Sequence, residues 1–569
     1  MIYHSRPSRI GLAVSAAVAF LLALSCPAFP TQATKQLAPG VVLRQDVNTD
    51  PACALIVNVV TVDLGDPSVT AKPALAQGVV YTDGPSKGRE TVSSITARNR
   101  ALLGVNADFF PFTGDPLGLC IIDGQLISEP ARNRAVVGWS KNGTIIFDNP
   151  RLKAALTISN RAGRQIDGIN RIRETNQVIA YTDIYGTSTR NKYAGTDIVL
   201  TSNDLPVRVG KTLKLTVTDI KLDAVDTPIP KGGMVISAGG PAAWFLKENL
   251  KPGDTVSVRF DVASAGANDW AKVEQAVGGG PWLVKNGSEF IDWAREGFKP
   301  NFACTCHPRT AVGATADGKL LIVTVDGRQA ISRGIDLPGL ASLMKRLGAI
   351  NAINLDGGAS TAMSVAGIVV NSPSGGTQRQ VANALLVHAQ QPSSPELPNL
   401  SISGVAGEVP LGSGAQLFLA WGDDAQMLTE DQLRHAVWGT TNGVGFVNQK
   451  GYFTPTTLRR GTLNAIYGPQ SVSLAVEVVS GKLAQLAVEL TPDEKDPLRT
   501  LLRVTVFNTN LNTLPHKDVR IEVCGGTPDH ASGRTDDNGE FTTGITWDAS
   551  APVRSVTATA GDASHSITL

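Results

Sequence analysis

Two Asp-Gly turns constrain this chain most, because each directly follows a short apolar run with the character of a buried strand. Asp326-Gly327-Arg328 follows residues 320–325, and Asp356-Gly357-Gly358 follows residues 350–355. Between them, leucine and methionine recur at helical spacing, and Gly348 stands where a C-terminal cap is expected. The segment therefore predicts a strand, a helix and a second strand.

The chain geometry places both aspartates at one edge of a sheet. A helical crossover makes the two strands parallel and the connection right-handed, so their carboxyl ends emerge together. If the strands are neighbours, we expect the carboxylates roughly 5 to 10 Å apart. A lone Asp-Gly would indicate only a turn, but a pair at the ligand-binding edge of an α/β sheet favours a functional site.

Length and composition allow several domains. The chain has 569 residues, of which 42% are hydrophobic and 18% charged, as is ordinary for globular protein. Residues 34–390 are expected to form an α/β (α+β) catalytic domain with a mixed sheet. Residues 391–398 are rich in proline and predict a linker. Beyond it, short alternating strands predict two small all-β immunoglobulin-like sandwich modules, at 399–485 and 486–569.

The N-terminus has the pattern of an export signal. Arg6 and Arg9 precede an apolar run at 10–24, and small, turn-forming residues follow up to about residue 33. The run is about 15 residues long, which is short for a membrane span, and no later segment is long and apolar enough to span. We expect residues 1–33 to be a signal peptide and the protein to be secreted or associated with the cell envelope, without a transmembrane anchor.

Charge and cysteine content exclude several classes of partner. The 51 Lys and Arg residues nearly cancel the 50 Asp and Glu residues, so nothing indicates a nucleic acid partner. The cysteines beyond the signal peptide are too few for a disulfide scaffold. Cys304-Thr305-Cys306-His307 lacks a second pair at zinc-like spacing, so one or two disulfides, or free thiols, are expected instead.

Polar and glycine-rich segments elsewhere in the main domain add candidate binding groups. Arginine offers planar, bidentate donors that match phosphate or carboxylate, so Arg309, Arg328 and Arg379 are candidate anion ligands. The glycines at 278–280 and 357–358 could bring backbone N–H groups close to an oxyanion.

Taken in order, these segments resemble the phosphodiester glycosidase family over roughly residues 50–388. The resemblance rests on the segments 106–110, 116–118 with 123–124, 278–281, 309–313, 326–328, 355–360 and 379–385. It implies a hydrolase that cleaves a sugar from a sugar-1-phosphodiester, releases the free sugar and leaves the phosphate on its acceptor. It also implies a link to exopolysaccharide or cell-wall glycopolymers, with which bacterial relatives are often associated. Two residues depart from the family pattern. Asp108 stands where the family often has glycine or alanine, and Ala359 stands where a third glycine is common.

The sequence thus predicts a site with two groups of residues. The catalytic candidates are Asp356, Asp326 and Asp108. The substrate-binding candidates are Asn106, Arg309, Arg328, Gly279, Gly280, Gly357, Gly358, Ser360, Arg379 and Asn383. The expected partner is a glycan or sugar-phosphate. No cofactor is expected to be required, although a divalent cation remains an alternative.

Two other functions stay open at this point. A metal-dependent phosphodiesterase would use Asp108, Asp326, Asp356 and His307 as hard ligands for Mg²⁺, Ca²⁺ or Mn²⁺. A non-enzymatic protein would bind an anionic envelope glycan. The C-terminal modules are expected to act as spacers; their alternative is contact with cell wall or polysaccharide through Trp421, Trp438 or Trp547.

Overall fold

The computed structural model describes residues 31–158, 163–264, 266, 268–391, 397–493, 495–508 and 513–569. The expected signal peptide lies outside the described residues except at 31–33, and the expected linker lies outside them at 392–396. Residues 31–33 begin the first strand.

Residues 31–391, here called the main block, are built mostly of strands. The strands are β1 (Thr31–Ala38), β2 (Val41–Asn48), β3 (Leu55–Val62), β4 (Val69–Leu75), β5 (Leu103–Asn106), β6 (Cys120–Ile122), β7 (Gln125–Ser128), β8 (Val136–Ser140), β9 (Ile145–Asp148), β10 (Arg151–Ile158), β11 (Arg164–Ile166), β12 (Gly168–Ile169), β13 (Val178–Thr182), β14 (Gly195–Thr201), β15 (Thr212–Ala224), β16 (Gly233–Ala238), β17 (Thr255–Ala263), β18 (Val273–Gly278), β19 (Trp282–Lys285), β20 (Ser288–Glu289), β21 (Arg309–Thr315), β22 (Leu320–Val325), β23 (Ala349–Asn354), β24 (Met363–Val365), β25 (Ile368–Val369) and β26 (Asn383–Ala389). The helices are α1 (Val92–Arg98), α2 (Gly240–Asn249), α3 (Pro300–Cys304) and α4 (Leu337–Arg346), with 3-10 turns at Ala76–Gly78, Trp270–Lys272 and Gly358–Ser360.

The C-terminal part is almost wholly β. The first module, residues 397–479, contains β27 (Ser401–Ser403), β28 (Glu408–Pro410), β29 (Ala415–Gln416), β30 (Phe418–Trp421), β31 (Gln426–Met427), α5 (Glu430–Leu433), β32 (Ala436–Thr440), β33 (Gly445–Val447), β34 (Tyr452–Pro455), β35 (Arg460–Tyr467) and β36 (Gln470–Val479). The second module, residues 483–569, contains β37 (Leu483–Pro492), β38 (Arg499–Asn508), β39 (Asp518–Cys524), β40 (Gly526–Pro528), β41 (Ser532–Arg534), β42 (Glu540–Trp547), β43 (Ser555–Ala560) and β44 (Ala563–Thr568). β37 runs through the expected boundary at residue 485.

Four sheets make up the main block. Their strand orders are β1-β2-β3-β22-β21-β23-β19-β20, β11-β10-β17-β15-β14-β16-β13-β12, β7-β6-β18-β8-β9 and β25-β24-β5-β26-β4. The sequence predicted an α/β (α+β) domain with a mixed sheet, but the paired strands of these sheets are antiparallel apart from the short β12–β13 pair. Antiparallel strands need only tight turns between them, so few helices are required.

The expected strand, helix and strand are found as β22, α4 and β23. Asp336 caps α4 by accepting from the Gly339 N–H at 2.8 Å, and the helix buries Leu340, Leu343 and Met344 against the first sheet. β22 and β23 run in the same direction, as expected, because each is antiparallel to β21. They are not neighbours: β21 lies between them, and its first residues start where the other two strands end.

The core of the main block extends into the first module. Val437 belongs to the same buried cluster as residues of β2, β3 and β22, and Phe446 packs with Val47 and Ile56. The second module has its own core, formed by side chains from both of its four-stranded sheets.

The modules leave few aromatic rings open to a ligand. Trp438 and Trp547 are buried in the module cores, at 2% and 4% exposure, whereas Trp421 is partly exposed. The Trp547 indole N–H donates to Thr500 Oγ1 at 2.9 Å. Trp438 and Trp547 therefore stabilise their modules and do not face solvent.

Candidate active site

The ends of β5 and β23 are joined by hydrogen bonds at the edge of the first sheet. The Asp356 N–H donates to the Ala107 carbonyl at 2.9 Å, and Asn106 Nδ2 donates to the Asp356 carbonyl at 2.6 Å. The Asp356 charge is close enough to raise the pKa of Asp108. The structure therefore brings together Asp108 and Asp356, which come from different sheets.

Asp356 is the aspartate of this pair that retains contact with solvent. It lies deep in the protein but keeps part of its surface open. Its Oδ1 accepts from the Gly357 N–H at 2.9 Å, and the Ser360 hydroxyl donates to the carboxylate. Burial raises its pKa to about 6, against the opposing effects of Ser360, Gly357 and the Arg379 charge. At neutral pH the carboxylate is mostly ionised.

Asp108 is enclosed. It is 2% exposed, its Oδ1 accepts from the Phe109 N–H at 2.7 Å, and its Oδ2 accepts from the Gly118 N–H at 2.6 Å. A Cβ on Gly278 would lie 2.6 Å from that same Oδ2. Burial raises the pKa of Asp108 to about 7, so it changes charge near neutrality.

Asp326 is fully buried and bound at both oxygens. Oδ1 accepts from Asn371 Nδ2 at 2.7 Å and Oδ2 accepts from the Ser372 N–H at 2.8 Å. Its exposure is 0%, and burial raises its pKa to about 7. These contacts hold the segment that follows β25, and the carboxylate has no open side facing Asp356.

Arg328 and Arg379 stand beside the 356–360 loop with exposed guanidinium groups. A Cβ on Gly358, where φ is +63°, would lie 3.2 Å from Arg328 Nη2. Arg379 Nη1 donates to Ser360 Oγ at 3.4 Å, and its charge lowers the pKa of Asp356. Among the described residues, neither arginine forms an ion pair with a carboxylate. Both are therefore available to bind an anion.

His307 supports Arg328. Arg328 Nη2 lies 3.3 Å from His307 Nδ1. Burial and the charges of Arg328 and Arg309 lower the pKa of this histidine, so the neutral ring accepts the hydrogen bond at Nδ1. The contact orients the guanidinium toward the loop.

Arg309 was expected to bind an anion at the site, but its side chain is buried among backbone carbonyls instead. It is 1% exposed, and its N–H groups donate to the carbonyls of Ile335 at 3.1 Å, Phe302 at 2.6 Å and Thr305 at 3.1 Å. Burial lowers its pKa to about 10. Its contacts fix the chain around α3.

The candidate asparagines also serve the backbone. Asn106 Oδ1 accepts from Thr310 Oγ1 at 2.7 Å and from the Ala362 N–H at 3.1 Å, so both ends of its amide are used. Asn383 Oδ1 accepts from the Asp108 N–H at 3.0 Å. Both side chains are 0% exposed and position the two site aspartates.

The glycine amides have internal partners. The N–H groups of Gly279 and Gly280 donate to the carbonyls of Ala135 at 3.0 Å and Asn354 at 2.7 Å, and the Gly358 N–H donates to Pro308 at 2.8 Å. A Cβ on Gly279 would lie 2.6 Å from the Asn354 carbonyl oxygen. The sequence predicted that these glycines would bring backbone N–H groups to an oxyanion. In the structure they permit close packing of the loops.

The sequence analysis missed a second cluster around Asp108. Arg134 stacks on Phe109 at 5.1 Å and on Phe298 at 4.5 Å, and its charge lowers the pKa values of Asp108 and Glu296. Glu296 is 4% exposed and accepts from the N–H groups of Ala135 at 2.8 Å and Trp282 at 2.9 Å. Burial raises its pKa to about 7. These residues follow no motif, and only their contacts reveal them.

The described residues contain no group of three or more His, Cys, Asp or Glu side chains that could hold a metal ion. Cys304 and Cys306 are exposed free thiols in this structure. Over the same described ranges, no helix combines the length and the hydropathy that crossing a membrane requires.

Known proteins resemble the segments that build this site. Residues 211–388 match the family model described as phosphodiester glycosidase. That range includes Asp326, Arg328, Asp356, Ser360 and Arg379; Asp108 lies before it.

Two curated relatives are similar over shorter stretches. The YomE protein derived from the SPbeta prophage of Bacillus subtilis is 39% identical over 112 residues, covering 19% of this chain and 16% of that protein. The human N-acetylglucosamine-1-phosphodiester alpha-N-acetylglucosaminidase is 31% identical over 138 residues, covering 21% of this chain and 27% of the enzyme. The chain therefore spans about a sixth to a quarter of the length of these relatives.

A solved structure shares the fold more broadly. A hypothetical protein from Synechocystis has a TM-score of 0.54 and 23% identity, covering 63% of this chain and 64% of the other. The family model and the human relative show that residues 211–388 contain a phosphodiester glycosidase domain, and the structural similarity shows the fold alone.

Proposed function

We propose that this protein hydrolyses a sugar-1-phosphodiester, releasing the free sugar and leaving the phosphate on its acceptor. The observation that carries the proposal is the 356–360 loop, where Asp356, a partly exposed residue, lies beside two exposed arginines without carboxylate partners among the described residues. The substrate has the matching pattern, an anionic phosphodiester next to an anomeric carbon. The family match over residues 211–388 supports the same reaction.

In this mechanism Arg328 and Arg379 bind the phosphodiester anion. Planar guanidinium groups suit phosphate oxygens, and an exposed arginine needs no internal partner to be displaced first. Binding there directs the C1–O bond of the sugar toward Asp356.

Asp356 acts in its ionised form at the anomeric carbon. The Gly357 N–H, the Ser360 hydroxyl and the Arg379 charge all favour the carboxylate over the acid. It therefore serves as the nucleophile or as the base that deprotonates water. Phosphate is already a good leaving group, so stabilising the oxocarbenium-like transition state matters more than protonating the departing oxygen. The C1–O bond breaks, water supplies the new hydroxyl, and the phosphate departs on its acceptor.

Asp108 and Asp326 act as positioning residues. Asp108 fixes the 118 and 278 loops and is coupled electrostatically to Asp356, and Asp326 fixes residues 371–372. Asn106 holds the backbone of Asp356. Of the three catalytic candidates, Asp356 is thus the carboxylate that touches substrate.

The biological setting follows from the organisation of the chain. We assign residues 34–390 as the catalytic domain and the ranges 397–479 and 483–569 as immunoglobulin-like modules, because β37 begins before the expected boundary at residue 485. The N-terminal pattern supports export, to the medium or the cell envelope. The substrate would then be an exopolysaccharide or cell-wall glycopolymer with sugar-phosphate linkages, or a GlcNAc-1-phosphodiester-like compound.

The test is release of free sugar from UDP-sugars and synthetic sugar-1-phosphodiesters, with and without EDTA. Asp356→Asn should lower turnover by about 10³-fold or more, as loss of a nucleophile or base typically does. Asp317→Asn, which alters an exposed aspartate on the β21–β22 turn, is the matched control and should keep wild-type turnover. Equal turnover in the two variants would refute the assignment of Asp356.

The same experiment decides between this reaction and its alternatives. Loss of activity on chelation would favour the metal-dependent phosphodiesterase, for which the described residues offer no ligand cluster. Glycan binding without release of sugar from any substrate would favour a non-enzymatic binding protein.

A further inference from the structure

A large cavity lies between the main block and the modules, and Asp356 is not among the residues that line it. Its volume is about 820 Å³, within the range of ligand pockets. One wall comes from residues 329–331, 367–369, 372–374 and 376–378 of the main block, and the other from residues 440–443, 445 and 454–457 of the first module; Thr513 of the second module also lines it.

The chemistry of its lining is unusually uniform. None of the described residues that line the cavity carries a charge, and more than half present a hydroxyl or an amide. Six of these polar side chains have no side-chain hydrogen bond within the described residues: Ser374, Thr377, Asn442, Thr454, Thr456 and Thr457. Their donors and acceptors are open to whatever fills the cavity.

The walls hold the cavity open in a fixed shape. On one side Asp326 binds Asn371 and Ser372, and Gln329 Nε2 donates to the Ser372 carbonyl at 2.8 Å. Across the contact between the two parts, a Cβ on Gly443 would lie 2.0 Å from the Gly376 carbonyl oxygen. The two backbones touch, so the spacing of the polar groups is set before a ligand arrives.

We propose that this cavity binds a neutral oligosaccharide. Uncharged hydroxyls and amides can both donate to and accept from sugar hydroxyls. No lining residue offers an opposite charge to an ionic ligand, and Arg459, which lies beside Gly376, is outside the lining. Ile331, Ile368 and Val369 supply apolar surface for the C–H faces of a sugar ring.

The cavity is connected to the active site by two segments, one of which runs from Arg328 directly into the lining residues Gln329, Ala330 and Ile331. In the other, residues 372–374 and 376–378 line the cavity, and the next residue, Arg379, contacts Ser360 beside Asp356. This inference deepens the proposed function: the neutral part of a glycopolymer lies in the cavity while its phosphodiester lies at Arg328 and Arg379. The first module then contributes to substrate binding and is more than a spacer.

The experiment measures binding and catalysis separately on the full chain. Chitotetraose, cellotetraose and maltotetraose are titrated by calorimetry into the wild type, Asp356→Asn and the double variant Asn442→Ala/Thr456→Val, with a tetragalacturonate as the anionic probe. At least one neutral probe should bind the wild type and Asp356→Asn equally, and the double variant should weaken its Kd about tenfold or more with an unchanged Tm. Tetragalacturonate should not bind.

The matched control is Ser403→Ala/Thr542→Val, which removes two exposed hydroxyls outside the cavity and should leave the Kd unchanged. No binding of any neutral probe at about 10 mM, or equal binding by both double variants, would overturn the proposal. Cleavage of small sugar-1-phosphodiesters is followed in parallel. If binding stands but no cleavage occurs, the proposed reaction fails and the binding site remains.

Discussion

Asp356 differs from Asp108 and Asp326 in having part of its surface open to solvent. All three follow or adjoin a strand end, and burial raises the pKa of each. The local sequence marks Asp326 and Asp356 equally. What separates them is a long-range contact: Asn371 and Ser372 cover both oxygens of Asp326, and no spacing in the 326–356 segment could show it.

The pH dependence of kcat/KM should follow the ionisation of Asp356. Its pKa is about 6, and the carboxylate is the reactive form, so kcat/KM should fall about tenfold per pH unit below pH 6. The measurement is kcat/KM for a small sugar-1-phosphodiester between pH 4 and 8. A rate that rises as the pH falls through 6 would instead assign Asp356 as a proton donor.

Removal of the Arg379 charge should shift that profile. Because this charge lowers the pKa of Asp356, Arg379→Gln should move the acid limb to higher pH and raise KM for the phosphodiester. Arg346→Gln, on the exposed side of α4, is the control and should change neither value. If KM rises but the acid limb of the kcat/KM profile does not move, Arg379 binds the anion and does not set the pKa of Asp356.

At the scale of elements, β22, α4 and β23 were predictable from periodicity and capping, including their common direction. The insertion of β21 between them was not, because β21 precedes β22 in the chain and pairs with both strands. The same holds for β5, which reaches the site from another sheet with Asn106 and Asp108. Local sequence patterns therefore predict the individual strands and helices. Which carboxylates lie close together depends on the pairing of strands that are distant in the sequence.

Glycines at the loop contacts provide an element-scale test. A Cβ on Gly278 would lie 2.6 Å from both Asp108 Oδ2 and the Gly118 Cα, so Gly278→Ala must push these loops apart. We expect a loss of about 1 to 3 kcal/mol in the free energy of unfolding, with reduced activity. Gly407→Ala meets nothing within 4 Å and should leave both unchanged. Urea unfolding monitored by fluorescence measures the difference, and equal stability of the two variants would show that the loops adjust freely.

At the scale of the whole molecule, buried carboxylates make stability depend on pH. Asp108, Asp326 and Glu296 have pKa values near 7 in the folded protein, above the ordinary values of 3.8 for Asp and 4.5 for Glu. The folded state therefore holds protons that the unfolded state has released. The stability that they contribute is complete below about pH 4 and is lost as pH rises toward 7. His307 and His388 act in the opposite direction, because burial lowers their pKa values.

The protein should accordingly be more stable at pH 5 than at pH 7.5, by about 1 kcal/mol or more. Asp326→Asn should flatten part of this dependence, although it leaves the Asn371 amide without an ionisable partner. Thermal unfolding at both pH values in the wild type and this variant measures the effect. A Tm that rises with pH over this range would contradict the assignment of these carboxylates.

The contact between β1 and α5 bears on how such chains can be recombined. Lys35, 5% exposed, donates to the Leu433 carbonyl at 2.6 Å, and the Gln449 N–H donates to Gln45 Oε1 at 2.8 Å. Replacing residues 397–479 with a foreign module would leave Lys35 without the Leu433 carbonyl that accepts its hydrogen bond. It would also leave Gln45 Oε1 without the Gln449 N–H that donates to it. The second module has its own core, and the buried clusters of the described residues do not join it to the first module, to which Asn508 Nδ2 donates at the Leu411 carbonyl at 3.0 Å. Module shuffling is therefore expected to be tolerated after residue 483 and to be resisted before it, so the catalytic block and the first module behave as one inherited unit.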